Sequence, residues 1–179
     1  EAKSNSIEKG EIAELEDKDQ AEIFEKIGFG ALKFFILKVQ PKKRMTFNPT
    51  DSLDMQGQTG PYIQNAYVRV QSLMRKNKEG YLKRQINPTE IHPSEKEIIK
   101  LCLAYPDVLR ESCNTYDPST VANFCYALAK EYHRFYHDVR ILGAEHEEDK
   151  NFRLALSQLT GDVLKKAMYL LGIEMPSRM

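Results

Sequence analysis

The sequence predicts an all-α fold, a helical bundle of about six helices, and three observations carry that prediction. Apolar residues recur at steps of three and four along several segments, as on one face of a helix. Residues that begin or end helices flank those segments. No stretch shows the alternating pattern of a half-buried strand. The 179 residues are 41% hydrophobic and 29% charged, which is an ordinary globular composition and argues against disorder across the whole chain.

The first helix is predicted from about Asp17 to Lys38, after 16 polar residues that we expect to be frayed or partly disordered. Its apolar residues fall on more than one face, so it packs against several neighbours or against a neighbour outside this chain. Pro41 follows its end, and the segment from Met45 to Asp54 reads as an extended loop. The apolar residues are Ile23, Phe24, Ile27, Phe29, Leu32, Phe34, Phe35 and Ile36.

The second helix is predicted to begin at Thr59-Gly60-Pro61 and to run to about Lys76. A small polar N-cap followed by Pro in the first turn is a common helix start. Gly80 to Pro88 is expected to form a loop or short turn. The core stripe of this helix is Ile63, Ala66, Tyr67, Val70 and Met74. The opposite stripe is Tyr62, Asn65, Arg69, Ser72 and Lys76.

The remaining helices are predicted from their caps and stripes. Ser94 to Glu97 has the pattern of a capping box, with Ser94 as the N-cap and Glu97 at the third helical position. Tyr105-Pro106 is expected to end that helix and to precede a short one. Asp117-Pro118 is another helix start, and Gly172 stands where a left-handed cap ends the last helix. The two long core stripes are Val121, Phe124, Cys125, Leu128, Tyr132, Phe135, Val139 and Leu142, then Phe152, Ala155, Leu156, Leu159, Val163, Ala167 and Leu170.

Opposite charges balance, with 26 acidic and 26 basic side chains, but they are segregated along the chain. Eight acids lie between Glu8 and Glu25, whereas six bases and one acid lie between Arg69 and Arg84. A separate basic face can bind a polyanion even when the pI is near 7.1. Two solvated helix faces would give the same pattern. The run from Lys42 to Arg44 either complements a helix end or touches phosphate.

Several chemistries are absent from the sequence. It has no Gly-rich phosphate loop, HExxH, GxSxG or EF-hand pattern, so no catalytic residue is predicted. His133 and His137 have the spacing of two metal ligands, but no third ligand is evident, so no metal site is predicted. The three cysteines form no CxxC pair and indicate free thiols in a reducing compartment; we expect a cytoplasmic protein. No apolar run approaches the roughly 18 residues of a membrane span.

The segment from Gly57 to Arg69 reads GQTGPYIQNAYVR and closely resembles the GxTGPYxQYxxxR motif of arginyl-tRNA synthetases. The segments at 28–33, 41–45, 116–118 and 135–142 are similar to flanking parts of that family, as is the chain end, GIEMPSRM. The resemblance implies a class I synthetase that couples arginine to its tRNA with ATP and Mg²⁺. Its HIGH and KMSK-type motifs do not occur here. Residues 1–53 are therefore expected to be the tail of the catalytic half with its connecting helix, and 54–179 the anticodon-binding domain.

The resemblance also implies contacts to tRNA(Arg), through its anticodon loop and stem, from Tyr62, Asn65, Arg69, Tyr136 and Met179. Tyr rings suit base stacking, and an Arg suits phosphate or a base edge. Asn65 departs from the family pattern, which more often has Tyr there. Tyr136 lies near the rim of a core stripe and either stacks on a base or only packs. A terminal residue rarely supports a core, so Met179 either touches RNA without stabilising the fold or is a frayed terminus. A further polar stripe either extends the RNA surface or is solvated: Tyr126, Lys130, His133, His137 and Arg140.

The implied partners are tRNA(Arg) and the catalytic domain of the same protein, with no membrane and no cofactor in this segment. The full-length enzyme is expected to be a monomer that uses ATP and Mg²⁺. This segment alone is expected to be inactive because it lacks the catalytic motifs. The alternative function is a helical protein-interaction domain, an adaptor, whose basic face is incidental.

Overall fold

The computed structural model describes residues 16–77 and 88–179. Within these ranges the chain forms six helices and no strand, which confirms the predicted all-α bundle. None of the described helices is both long enough and apolar enough to cross a membrane. The predictions for the N-terminal residues before Glu16 and for nearly all of the 80–88 loop lie outside the described residues. The helices are α1 (Asp17–Leu37), α2 (Pro49–Ser52), α3 (Gly60–Lys76), α4 (Pro93–Thr115), α5 (Ser119–Asp138) and α6 (Glu147–Leu170).

The helices α3, α5 and α6 pack against one another at the centre of the bundle, α4 packs on α5 and α6, and α1 crosses α3. Large side chains from the three central helices are fully buried there, among them Ile63, Tyr132 and Leu164. Thr59 caps α3 as predicted, because its hydroxyl accepts a hydrogen bond from the Tyr62 N–H at 3.2 Å. This cap and the Gly60-Pro61 start fix where the predicted RNA-facing stripe begins.

Two glycines allow α1 to approach α3 closely. A Cβ on Gly60 would lie 2.4 Å from the Gly30 carbonyl oxygen, so no larger residue fits at Gly60 without moving backbone. Next to this crossing, Gln64 is fully buried and its Nε2 donates to the carbonyls of Lys26 and Glu174, at 3.0 and 2.9 Å. Gln64 therefore ties α1 and the C-terminal tail to α3.

The C-terminal tail, residues 171–179, folds back along α3. Gly172 adopts φ 69°, the predicted left-handed cap of α6, and the Ile173 N–H donates to the Met168 carbonyl at 2.9 Å. Further along, Arg75 donates to the Ser177 carbonyl at 2.9 Å. The last residue, Met179, is only 7% exposed. The tail is thus an integral part of the packed structure.

The first helix has one buried face and one exposed apolar face. Ile27, Ala31 and Phe34 are buried on the inner face. On the outer side, Phe29 and Ile36 are about half exposed, at 52% and 49%. The helix packs against several neighbours, as one of the two explanations of its multi-faced apolar pattern predicted, since it contacts α2, α3 and α5. The exposed apolar residues on its outer side keep the second explanation, a neighbour outside this chain, open.

The predicted caps and ends of α4 are wrong in two respects. The capping box is two residues earlier, since His92 is the N-cap and its N–H donates to the Glu95 carboxylate at 2.7 Å. Glu95 is fully buried and also accepts from Arg153 of α6 at 2.9 Å, which favours this register. The helix also continues through Pro106. Packing of α4 along α5, including the stacked rings of Tyr105 and Phe124, outweighs the roughly 3 kcal/mol cost of an internal Pro.

Three predicted core residues are exposed, and one predicted loop contains a helical turn. Leu142 lies beyond the end of α5 at Asp138, so the helical stripe does not extend to it. Leu159 and Leu170 lie with Asp162 and Lys166 on the exposed face of α6, and other side chains face α3, α4 and α5. The 45–54 segment forms the single turn α2, capped by Asn48. In place of Leu159 and Leu170, α6 buries Leu154, Leu164 and Met168 in the core.

Candidate nucleic-acid interface

A groove between α3 and α5 brings together the five residues that the sequence predicts to contact tRNA. Tyr62, Asn65 and Arg69 project from α3, Tyr136 comes from α5, and Met179 closes one end. Four of them line one cleft of about 440 Å³, and Tyr62 lines an adjoining cleft that shares Asn65 and Arg69. The structure therefore places these residues on one continuous surface, whereas their contact with RNA stays a prediction.

The Arg69 guanidinium lies over the Tyr136 ring and has no acidic partner among the described residues. Its guanidinium carbon lies 5.0 Å from the centroid of the Tyr136 ring, within the range of a cation–π contact. No acidic side chain lines either cleft of the groove, and among the described residues Arg69 makes no ion pair. The planar guanidinium is thus oriented by Tyr136 and keeps N–H groups for an anionic or carbonyl partner.

Tyr62 is oriented by two residues of α5. The centroid of its ring lies 4.5 Å from that of His133 and 5.5 Å from that of Tyr126. Nε2 of His133 is 3.1 Å from the Tyr62 carbonyl oxygen. Burial and, to a smaller extent, the Arg69 charge lower the pKa of His133 to about 4, although the hydrogen bond to the Tyr62 carbonyl opposes this shift. The imidazole is therefore neutral near pH 7, and its Nε2–H donates to that carbonyl.

This arrangement changes the interpretation of the polar stripe on α5. His133 is partly buried, packs against Tyr62 and hydrogen-bonds its carbonyl. It also lines the cleft with Asn65 and Arg69, so its contact with RNA stays a prediction, as a neutral side chain. Tyr126 is half-buried beside the same ring. Lys130, His137 and Arg140 are exposed, so either alternative still holds for them. Burial also raises the pKa of Tyr62, which keeps its phenol neutral.

The expectation that Met179 supports no part of the core is wrong. Its side chain packs in a small buried cluster with Ile27 of α1 and Val68 of α3. It also lines the cleft beside Arg69. Met179 is therefore a wall of the groove and a structural residue at once. The apolar side chains spaced along the tail, Ile173, Met175 and Met179, were the sequence signal for this packing.

Three of the six bases counted between Arg69 and Arg84 lie within the described residues. Arg69 and Lys76 line the cleft, and Arg75 holds the tail through Ser177. The other three bases counted between Arg69 and Arg84 lie outside the described residues. In the described ranges, no three His, Cys, Asp or Glu side chains are placed to hold a metal ion.

Comparison with known protein families gives a match over most of the chain. The model of the DALR anticodon-binding domain matches residues 63–179. The chain belongs to this family. The matched range begins within α3 and includes Asn65, Arg69, Tyr136 and Met179. The boundary predicted between residues 53 and 54 stays a prediction.

Named relatives of this DALR domain are arginine–tRNA ligases. The protein of Flavobacterium psychrophilum is 43% identical over 178 residues, which cover 99% of this chain and 29% of that protein. The protein of Phocaeicola vulgatus is 46% identical over 181 residues, covering 99% and 30%. The Thermus thermophilus arginyl-tRNA synthetase structure superposes with a TM-score of 0.87 at 27% identity, covering 99% of this chain and 30% of that one. The DALR chain spans about 30% of the length of these relatives.

Proposed function

We propose that this DALR domain binds the anticodon region of tRNA(Arg) as part of an arginine–tRNA ligase. The observation that carries the proposal is the groove between α3 and α5, where five predicted contact residues converge around an Arg69 that has no acidic partner within the described residues. The family match and the names of the relatives support the same function.

The side chains of the groove suit unpaired nucleotides. Loop bases that leave the helical stack are commonly held by aromatic rings, Arg planes and hydrogen bonds to their edges. Tyr62 and Tyr136 offer rings, Arg69 offers a planar set of donors, and the Asn65 amide can donate to and accept from a base edge. The neutral His133 holds Tyr62 in place without adding charge.

The full-length ligase would include the catalytic half, which would bind ATP and Mg²⁺. The exposed apolar residues Phe29, Leu32 and Ile36 on α1 give this half a surface on which to pack. On this proposal the present chain alone does not exchange pyrophosphate with ATP in the presence of arginine, with or without tRNA. The full-length protein would be cytoplasmic and monomeric.

Titration of the 179-residue chain with the anticodon stem–loop of an arginine tRNA, over a series of salt concentrations, tests the proposal. Each phosphate contact with a single strand should contribute a log–log slope of about −0.7. Tyr62→Ala and Tyr136→Ala should each weaken binding by about 1–3 kcal/mol if the ring stacks a base. Arg110→Ala, an exposed arginine of α4, is the control and should bind as the wild type does. An absence of binding, or binding without salt dependence, would favour the adaptor alternative.

A further inference from the structure

Tyr116 stands out as a residue that the fold does not explain. It ends α4 in the left-handed conformation, with φ 54°, and is the only non-glycine residue with positive φ in the described ranges. This conformation costs an L-residue roughly 1–2 kcal/mol, and Gly or Asn is the usual choice at such a cap. The side chain is 89% exposed, so packing does not offset the strain. A strained, exposed aromatic residue points to a role outside the fold.

The ring of Tyr116 lies beside a basic loop. A cleft between the end of α4 and the loop after α1 is lined by Tyr116, Glu111 and Lys42. The side chains of Lys42, Lys43 and Arg44 are exposed, and none of them forms an ion pair with another described residue. Glu111 and Asp117 are the acids that line the cleft, and the Asp117 carboxylate already accepts from the Ser119 N–H at 2.9 Å. The loop therefore places three cations without ion pairs to described residues beside this cleft, whose own lining contains one of them, Lys42, and the two carboxylates.

The helix α5 leads from this cleft to the groove between α3 and α5. Thr120, in the first turn of α5, lines the cleft. Asn123, one turn later, accepts a hydrogen bond from Gln58 at 2.6 Å, where the chain enters α3. Tyr126 and then Tyr136 follow on α5 beside Tyr62 and Arg69. At 1.5 Å per residue, Thr120 and Tyr136 are about 24 Å apart along the helix.

We propose that Tyr116 and the run from Lys42 to Arg44 form a second RNA contact, which holds the phosphate backbone leading away from the anticodon bases. An exposed ring beside unpaired cations is the combination that binds nucleic-acid strands without reading sequence. The position of this surface on the same helix as the groove, and the three cations of the loop that lack ion pairs within the described ranges, favour RNA over a protein partner. The inference rests on the proposed function, because it places the anticodon loop in the groove.

Two RNAs separate this contact from the groove: the loop strand alone and the complete anticodon stem–loop of an arginine tRNA. With the whole chain, Tyr116→Ala should weaken binding of the stem–loop about five-fold or more, as expected for a lost stacking contact. Lys42→Ala/Lys43→Ala should flatten the log–log salt slope for the stem–loop by about 1.4 to 1.8. Both variants should bind the loop strand as the wild type does, because that strand occupies only the groove.

The controls use matched residues of α6, Tyr169→Ala and Lys165→Ala/Lys166→Ala, which are also exposed and should leave both affinities unchanged. Tyr116→Gly adds a test independent of folding, because it relieves the left-handed strain: its melting temperature should not fall, yet its affinity for the stem–loop should. If Arg69→Ala weakens stem–loop binding but the Tyr116 and lysine variants do not, the second contact is wrong and the proposed function stands. If the wild-type chain binds neither RNA, both proposals are wrong.

Discussion

Replacing Met179 by Ala should destabilise the fold although it alters the last residue of the chain. Met179 is 7% exposed and packs against Ile27 and Val68, which are 2% and 5% exposed. Truncating a buried Met to Ala costs about 2–5 kcal/mol, and the low end applies here because a small peripheral cluster can partly collapse. We therefore expect a loss of about 2 kcal/mol. For a chain of this size that lowers the melting temperature by about 4–8 °C.

Thermal unfolding followed by circular dichroism measures this effect. Tyr169→Ala, which removes an exposed ring from α6, is the control and should change stability by less than about 0.5 kcal/mol. Met179→Leu keeps the volume and should cost less than about 1.5 kcal/mol. The reasoning is refuted if Met179→Ala melts at the wild-type temperature. That result would mean that the Met179 side chain does not stabilise the fold and that its role is limited to contacting RNA.

Two further predictions concern the frame of the groove. Gly60→Ala should lower the free energy of unfolding by about 1–3 kcal/mol or more, because the new Cβ meets the Gly30 backbone. The control is Gly28→Ala, whose Cβ meets nothing within 4 Å and which should be neutral or stabilising. Equal denaturant midpoints for the two variants would count against the close crossing of α1 and α3. Burial is the main cause that lowers the pKa of His133 from 6.5 to about 4 in the folded chain. Between these pH values the unfolded chain binds a proton that the folded chain does not. The stability that the neutral imidazole contributes is therefore complete above pH 6.5 and is lost as the pH falls towards 4. His133→Gln should flatten the dependence of the unfolding free energy on pH in that window, and an unchanged profile would mean that the imidazole is not desolvated.

The helices that the sequence predicted best are those with strong local signals. Thr59-Gly60-Pro61 fixed the start of α3, and Gly172 fixed the end of α6, because cap geometry depends on a few neighbouring residues. The prediction that Tyr105-Pro106 ends α4 was wrong because it considered local sequence only. The local cost of Pro106 is outweighed by packing of α4 on α5, a contact between segments that no local pattern contains.

The candidate site shows the same division. Helical spacing predicted that Tyr62 and Arg69 share a face, and the structure places them together in the groove. The resemblance added Tyr136 and Met179, but the sequence did not show that Arg69 lies over the Tyr136 ring or that Met179 is buried. The role of His133 was also missed, since its hydrogen bond joins residues 71 positions apart. Tertiary contacts decided each of these cases.

The most direct test of the central claim, that this groove binds the anticodon bases, is a cycle of Arg69→Ala against a changed anticodon. The affinities of the wild-type chain and the variant are measured for the arginine stem–loop and for the same stem–loop carrying another anticodon. We expect the wild type to prefer the arginine anticodon by about 1–3 kcal/mol per base read, and Arg69→Ala to lose much of that preference while its melting temperature is unchanged. Equal affinity of the wild type for both RNAs, or a preference that survives in Arg69→Ala, Tyr62→Ala and Tyr136→Ala alike, would contradict the account.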